Sequence, residues 1–142
     1  MNDTTISPMT LDDYDELLPL WRAAEGVYIG EADSREGVGR FLDRNPGLSL
    51  IARAGGRLVG AVLCGHDGRR GLLHHLAVAP EWRRRGIARA LVERCQESFK
   101  ALGIPRCYIF VMTDNESGRK FWESIGWKNH DHALAMVREI VE

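Results

Sequence analysis

The chain has 142 residues, a formal net charge of −1 and 44% hydrophobic residues. This length and composition predict one domain over residues 1–142 with a sizeable core, and the near-neutral charge argues against nucleic acid or an anionic membrane as a partner. No apolar run is long enough to cross a membrane and the N-terminus lacks a signal-peptide pattern, so a cytoplasmic protein is predicted.

A short strand and two helices are predicted in the first third of the chain. The strand lies near residues 5–8, and Thr10 then precedes apolar residues that recur at helical spacing to about residue 24. Ser34 is typical of a helix N-cap and predicts a weaker second helix in a glycine-rich stretch.

Three strands and a long helix are predicted in the middle of the chain. Turn signals such as Gly55-Gly56 separate three β-rich runs. After them, apolar residues with a period near 3.6 predict a helix that ends at Leu102. The predicted strands lie near residues 48–54, 57–65 and 71–79.

The last part of the chain predicts a buried strand, a helix and further strands. The run CYIFVM covers residues 107–112, Asn115 opens a helix that stops at Gly126, and the tail 127–141 alternates well enough for one or two strands. A strand, helix and strand in succession imply an α/β domain with a partly parallel pair at its centre.

The cysteines and histidines lack the spacing of disulfides or of a metal site. His66, His74 and His75 do not have zinc-ligand spacing, so no metal is predicted. The three cysteines are odd in number, form no CxxC pair and lie in apolar segments, which predicts reduced core thiols. They are Cys64, Cys95 and Cys107.

Three consecutive arginines, Arg83 to Arg85, precede the long helix. A helix N-terminus carries partial positive charge, which disfavours each cation by about 0.3–1 kcal/mol and favours an anion. Gly86 permits close approach of backbone N–H groups, and an oligophosphate would satisfy them. ATP and NAD are not favoured, because GxxxxGK[ST] is absent and the GVGRFL run at Gly37 fails the GxGxxG pattern.

Two motifs resemble those of one enzyme family. Arg83-x-x-Gly86-x-Ala88 is similar to the [RQ]xxGx[GA] motif with which the Gcn5-related N-acetyltransferases (the GNAT superfamily) bind acetyl-CoA. The second pattern of that family is an asparagine, then an aromatic pair, then a glycine followed by an aromatic residue. This chain has it at Asn115, Phe121-Trp122 and Gly126-Trp127.

The resemblance covers essentially the whole chain and implies both a fold and a co-substrate. The implied fold is α/β, with a mixed sheet of six to seven strands, a splayed parallel pair around the CoA-binding helix, and about four helices. Acetyl-CoA would pair its pantetheine arm with residues 76–78 and its pyrophosphate with the N–H groups of residues 84–88. The implied cofactor-binding residues are Leu76, Ala77, Val78, Arg83, Arg84, Arg85, Gly86, Ile87, Ala88, Asn115 and Trp122.

Acetyl transfer to an amine needs a base, since a lysine-like amine has a pKa of about 10.4. Strand alternation predicts that His74 shares a face with Leu76 and Val78 while His75 lies on the other, so His74 is the candidate catalytic base. Its position also resembles that of a histidine in the arylalkylamine N-acetyltransferases, where a base role has been assigned. The alternative is that both histidines are half-buried structural residues.

Trp122 departs from the family pattern. Much of the family has a tyrosine there that donates a proton toward the leaving thiolate, whereas an indole N–H cannot release its proton. In place of the tyrosine, a water or another residue such as Tyr28 would donate the proton, or the thiolate would leave without an acid. The thiolate of CoA is a tolerable leaving group, because a thiol pKa is about 8.5.

The predicted function is direct transfer of an acetyl group from acetyl-CoA to a primary amine of a small molecule or a protein. The acceptor is expected at the acidic segment 21–36 and near Trp127. Because of Trp122, a CoA-binding sensor with little turnover is the alternative. A nucleic-acid binder is disfavoured by the near-neutral charge. No membrane is predicted as a partner, and a homodimer is left open.

Overall fold

A computed structural model describes residues 3–141. These residues contain five strands and four α-helices, together with short 3-10 turns. The strands are β1 (Thr4–Pro8), β2 (Leu50–Ala54), β3 (Arg57–His66), β4 (Gly71–Val78) and β5 (Cys107–Ile109). The helices are α1 (Tyr14–Ala23), α2 (Arg35–Arg44), α3 (Ile87–Leu102) and α4 (Glu116–Ser124).

The described strands form one sheet in the order β1-β2-β3-β4-β5. The first four strands are antiparallel neighbours, and β5 lies parallel to β4. Gly55 and Gly56 have φ of +56° and +82°, the left-handed values that a two-residue hairpin turn needs. The connection from β4 to β5 passes through α3, because a parallel pair requires a crossover. The predicted α/β class with a parallel pair is confirmed, but the pair lies at the edge of the described sheet and not at its centre.

Helices pack on both faces of the sheet. A Cβ at Gly60 would meet side chains of α3, namely Ile87 at 3.0 Å and Leu91 at 3.4 Å. A Cβ at Gly65, an odd number of residues along the same strand, would meet Phe41 of α2 at 2.7 Å. Successive strand residues point to opposite faces, so α3 covers one face and α2 covers the other.

Cap residues set the ends of three helices as the sequence predicts. The Gly37 N–H donates to Ser34 Oγ at the start of α2 (3.0 Å), and Asn115 caps α4 in the same way. Gly103 ends α3 in the left-handed region, with φ of +76°. The local sequence signals therefore place these helices correctly.

The strands that the sequence predicts in the tail do not form in the described residues. One or two strands are predicted over residues 127–141 and six to seven in total, but the described sheet has five and the described tail has none. The apolar tail side chains face solvent, with Leu134 90% and Met136 92% exposed. Alternation is not sufficient for a strand, because a strand also needs a neighbour to pair with and a core for one face to cover.

Within residues 3–141, no helix combines the length and hydrophobicity that a membrane crossing requires. The single domain and the cytoplasmic location stay predictions.

Candidate active site

The parallel pair β4 and β5 opens into a cleft. Their pairing stops at Leu73 and Ile109, although β4 continues to Val78. The strand predicted to reach residue 112 ends at Ile109, and the next residue, Phe110, is 66% exposed. Among residues 3–141, no strand lies parallel to residues 74–78 of β4, and backbone polar groups along that edge stay open to a ligand.

Two cavities lie in this cleft. The smaller, of about 220 Å³, lies between β4, the chain after β5 and the loop after α1, and it is lined by His74, His75 and Tyr28 among others. The larger, of about 570 Å³, extends from β4 to the start of α3. Four residues line both cavities and join them into one site: Glu25, Leu76, Asn115 and Trp122.

The larger cavity gathers nearly all the residues predicted to bind the cofactor. Arg85 is the exception, because its guanidinium stacks 4.5 Å over the Trp82 ring and does not line the cavity. Arg83 is held at the cavity by its Nε, which donates to the Val78 carbonyl (3.3 Å). The predicted residues that line it are Leu76, Ala77, Val78, Arg83, Arg84, Gly86, Ile87, Ala88, Asn115 and Trp122.

The start of α3 leaves backbone donors open. Gly86 precedes the helix with φ of +82°, a conformation that side chains other than glycine adopt with strain. The described residues supply no side-chain cap here and no acidic residue in the first turn. The first N–H groups of a helix have no intrahelical acceptor, and the helix dipole adds partial positive charge. A Cβ on Gly86 would meet nothing within 4 Å, so an anion of several oxygens fits this end.

Asn115 has a structural role that its motif does not indicate. Its Oδ1 accepts from the Gly118 N–H (3.0 Å), which caps α4, and its amide lies directly against Gly26. Nearby, Ser117 Oγ donates to Glu25 Oε1 (3.2 Å). The loop after α1 is thereby joined to the start of α4 between the two cavities. The sequence did not reveal this junction, because its residues are distant along the chain and form no motif.

The two histidines of β4 lie on the same side of the sheet, which corrects the prediction that they alternate. The His74 ring packs against Phe41 of α2 at 6.1 Å, and the His75 ring packs against Trp21 of α1 at 5.0 Å. The reason is a bulge: His75 has φ of +52°, and the register between β3 and β4 shifts there. An extra residue in one strand resets the alternation after it.

The environments of the two rings differ. Burial, and secondarily the charge of His75, lower the pKa of His74, while Asp33 partly opposes this effect. His75 Nε2 lies 3.0 Å from Asp33 Oδ1, with its N–H direction off the line of a hydrogen bond. The His74 ring thus contacts an aromatic ring, whereas the His75 ring contacts both an aromatic ring and a carboxylate.

Comparisons with known proteins identify the family. The acetyltransferase (GNAT) family model matches residues 14–127, and an acetyltransferase of Sodalis glossinidius is 31% identical over 131 residues, 92% of each chain. The chain belongs to the GNAT acetyltransferase family. It is similar in fold to the PaiA N-acetyltransferase of Thermoplasma acidophilum, solved in complex with coenzyme A (TM-score 0.82, 23% identity, 94% of each chain). It is also similar to an aminoglycoside 6′-N-acetyltransferase of Acinetobacter haemolyticus (TM-score 0.76, 18% identity, covering 96% of this chain and 99% of that one).

Trp122 of this acetyltransferase lies between the two cavities and packs against aromatic neighbours. Its ring centroid is 4.9 Å from that of Trp127 and 5.4 Å from that of Phe121. Tyr28, which the sequence suggests as another proton donor, lines the smaller cavity and is 60% exposed. A phenol is thus present at the same cavity as the histidines, on the loop after α1 instead of on α4.

Two thiols of this acetyltransferase, those of Cys64 and Cys107, are held in the protonated form, which disfavours them as nucleophiles. Cys64 and Cys95 are buried and Cys107 is half-buried, all in the reduced form. A hydrogen bond with Cys95 and burial raise the pKa of Cys64, and burial raises the pKa of Cys107 to about 12. Across residues 3–141, no group of three or more His, Cys, Asp or Glu side chains is arranged to hold a metal ion.

Proposed function

We propose that this acetyltransferase moves an acetyl group from acetyl-CoA directly to a primary amine of a small molecule or a protein. The observation that carries the proposal is the open start of α3 at one end of the cleft between β4 and β5. A donor with phosphates at one end and a thioester at the other matches a cleft that joins an anion site to a second, histidine-lined cavity.

The phosphates of the donor would bind at the start of α3. The backbone N–H groups of residues 84–88 supply uncapped donors, and Arg84 and Arg83 add guanidinium groups beside them. The pantetheine arm would pair with the open edge of residues 76–78, in the place that a longer β5 would occupy. Acetyl-CoA supplies the activated acyl group, and this chain supplies its binding and orientation.

The acceptor would enter the smaller cavity. Glu25 faces this cavity beside the two histidines, and a carboxylate suits a cationic amine. Its other lining is largely apolar and aromatic, including Val27 and Tyr28. This lining supports an amine borne on a partly apolar group and does not distinguish a small molecule from a protein.

The chemistry proposed is a single displacement. The amine loses a proton to a histidine of β4 and attacks the thioester carbon, and the thiolate leaves with no acyl group passing to the enzyme. The raised pKa values of Cys64 and Cys107 support a mechanism without a cysteine nucleophile. The prediction that His74 is the base stays a prediction. Burial lowers the pKa of His74, which favours the neutral ring that a base requires.

A second candidate function is a CoA-binding sensor with little turnover. It is favoured by Trp122, which stands where much of the family has an acid tyrosine and whose indole packs against Trp127. The same cleft would bind CoA in either case, so binding alone does not separate the two functions.

Thermal unfolding and an amine panel test the proposal. Acetyl-CoA and CoA should raise the unfolding temperature, while ATP, NAD and duplex DNA should raise it much less. Thiol release from acetyl-CoA should then accelerate with at least one amine of a panel that includes alkylamines, arylalkylamines, aminoglycosides and peptides. Equal stabilisation by ATP would contradict a CoA-specific site, and CoA binding without thiol release across the panel would favour the sensor.

A further inference from the structure

His75 is held in an unfavourable backbone conformation at the edge of the smaller cavity. Its φ of +52° is a left-handed value that strains a residue other than glycine, so the surrounding contacts must stabilise it. The ring packs against the fully buried Trp21 in a T-shaped arrangement, at a centroid distance of 5.0 Å. Bulges and strained residues cluster at functional sites, because they aim side chains that regular strands cannot aim.

Asp33, the carboxylate that faces His75, is itself fixed by two other contacts. Its Oδ2 accepts from the Gly30 N–H (2.9 Å), and its backbone carbonyl accepts from the Tyr14 hydroxyl (2.7 Å). The residue is only 8% exposed. Its second oxygen, Oδ1, is left to face His75 Nε2 at 3.0 Å. The carboxylate is therefore preorganised toward one nitrogen of the ring.

The contact with Asp33 gives the two nitrogens of His75 different roles. Nε2 is buried against the carboxylate, which favours the tautomer with the ring proton on Nε2. Among the described residues Nδ1 has no protein partner, and it is not one of the fully buried polar atoms. His75 is one of the residues that line the smaller cavity, so Nδ1 is the ring nitrogen left for a proton from a substrate there. A small rotation of the ring would align the N–H with Asp33, and catalytic hydrogen bonds often tighten in this way when substrate binds.

We propose that His75, oriented by Asp33, is the group that takes the proton of the acceptor amine, an inference that rests on the proposed function. Nδ1 accepts one proton from the substrate ammonium, directly or through a water, which leaves the free amine. The amine nitrogen then forms the C–N bond as the C–S bond breaks. The thiolate takes up a proton, the second nitrogen proton is released as the amide forms, and His75 returns its own proton to solvent.

His74 has the weaker geometry for this role. No carboxylate contacts its ring among the described residues, and its aromatic neighbour Phe41 does not select a tautomer. A base oriented by a third group is the arrangement that nucleophilic sites use repeatedly. The titratable groups that face His75 are Asp33, His74, and the Glu25 and Tyr28 side chains of the same cavity. Asp33 is a positioning residue, because it acts through His75.

Three asparagine variants test the proton acceptor. Asparagine tolerates positive φ better than most residues, so His75→Asn removes the imidazole while keeping the bulge. His74→Asn removes the neighbouring imidazole, and His132→Asn is the control because it lies in the exposed tail outside the smaller cavity. With the amine found in the panel, kcat/KM at pH 7 should fall about 100-fold for His75→Asn, less than tenfold for His74→Asn, and not at all for the control. The loss should shrink at high pH, where the amine is already neutral.

Asp33→Asn tests the positioning role of Asp33. The measured quantity is the tautomer of the His75 ring, which a loss of stability alone would not change. An asparagine amide facing Nε2 would donate to it and force the ring proton onto Nδ1, so kcat/KM should fall at least about tenfold while CoA still stabilises the fold. Nitrogen NMR of the His75 ring in the wild-type protein should show the Nε2–H tautomer, and the Asp33→Asn spectrum should show the other. An Nδ1–H tautomer in the wild-type protein overturns the inference.

Different experimental results would overturn the inference about His75 and the proposed function. A folded His75→Asn enzyme with the wild-type rate and pH profile overturns the inference alone, and a loss confined to His74→Asn transfers the role to His74. A wild-type protein that neither gains stability from acetyl-CoA nor releases thiol overturns the proposed function, and the catalytic role of His75 fails with it.

Discussion

The starts of α3 and α4 face the same cleft but are built in opposite ways. Asn115 precedes α4 as its N-cap, and its side chain accepts from the Gly118 N–H of that helix (3.0 Å). Gly86 precedes α3, where the described residues supply no side-chain cap. The Asn115 side chain accepts from one donor of the first end, whereas the described residues give the second end no side-chain acceptor, beside Arg83 and Arg84 and in a place that favours anions.

The difference shows that the two ends have separate tasks. A cap contributes about 0.5–2 kcal/mol to the stability of a protein, so an uncapped helix end gives up stability that a ligand can restore. On α4 the cap stabilises the wall of the cleft, and Asn115 also meets Gly26 of the loop after α1. Substitutions at Gly86, Gly26, Ser34 and Trp122 test this division of tasks.

Gly86→Asp should reduce acetyl-CoA affinity by about 100-fold or more. The change places a negative charge at the helix end where phosphate would bind, and φ of +82° adds modest strain. Titration calorimetry measures the loss, and circular dichroism checks the fold. Gly103→Asp is the matched control, because Gly103 has φ of +76°, also has open space around a Cβ, and lies at the other end of α3. Wild-type affinity in a folded Gly86→Asp protein would place the phosphates elsewhere.

Gly26→Ala should reduce turnover about tenfold and lower the free energy of unfolding by about 1–3 kcal/mol. A Cβ there would overlap the Asn115 amide and push apart the loop and the start of α4. Gly47→Ala separates this overlap from backbone strain, because Gly47 has a similar φ, +76° against +81°, and nothing within 4 Å of a Cβ. Steady-state kinetics and denaturant unfolding compare the pair. Equal effects in the two variants would mean that contact with Asn115 is unimportant.

Ser34→Ala should lower the free energy of unfolding by about 1 kcal/mol and leave acetyl-CoA affinity unchanged. It removes the acceptor of the Gly37 N–H at a capped helix end outside both cavities. Chemical denaturation gives the stability change, and calorimetry gives the affinity. A drop in affinity comparable to that of Gly86→Asp would mean that capped and uncapped ends do not differ in the way proposed.

Trp122→Tyr should leave affinity unchanged and either raise turnover or leave it unchanged, since a phenol can donate a proton to the leaving thiolate and an indole cannot. The smaller ring will loosen the contact with Trp127, now 4.9 Å between centroids. Trp122→Phe is the control, because it makes a similar change of size without a hydroxyl. If turnover collapses in both folded variants, the indole itself has a specific role in binding donor or acceptor.

Local sequence was sufficient for the elements that local chemistry controls. Ser34, Asn115 and Gly103 mark helix ends because caps and left-handed turns depend on a few adjacent residues. The arginines and Gly86 indicated an anion site from the charge of a helix end alone, and the family resemblance named the chemistry. The β-rich runs between turn signals located β2, β3 and β4, where neighbouring strands and helices bury one or both faces.

Tertiary structure decided what depends on register and on distant contacts. The tail alternates like a strand but has no partner strand, and His75 joins His74 on one face because of a bulge between β3 and β4. Nothing in the sequence around His75 indicates that Asp33 will lie 3.0 Å from its ring. Local patterns report the preferences of a few neighbouring residues, whereas a bulge and a carboxylate partner arise only when separate segments pack together.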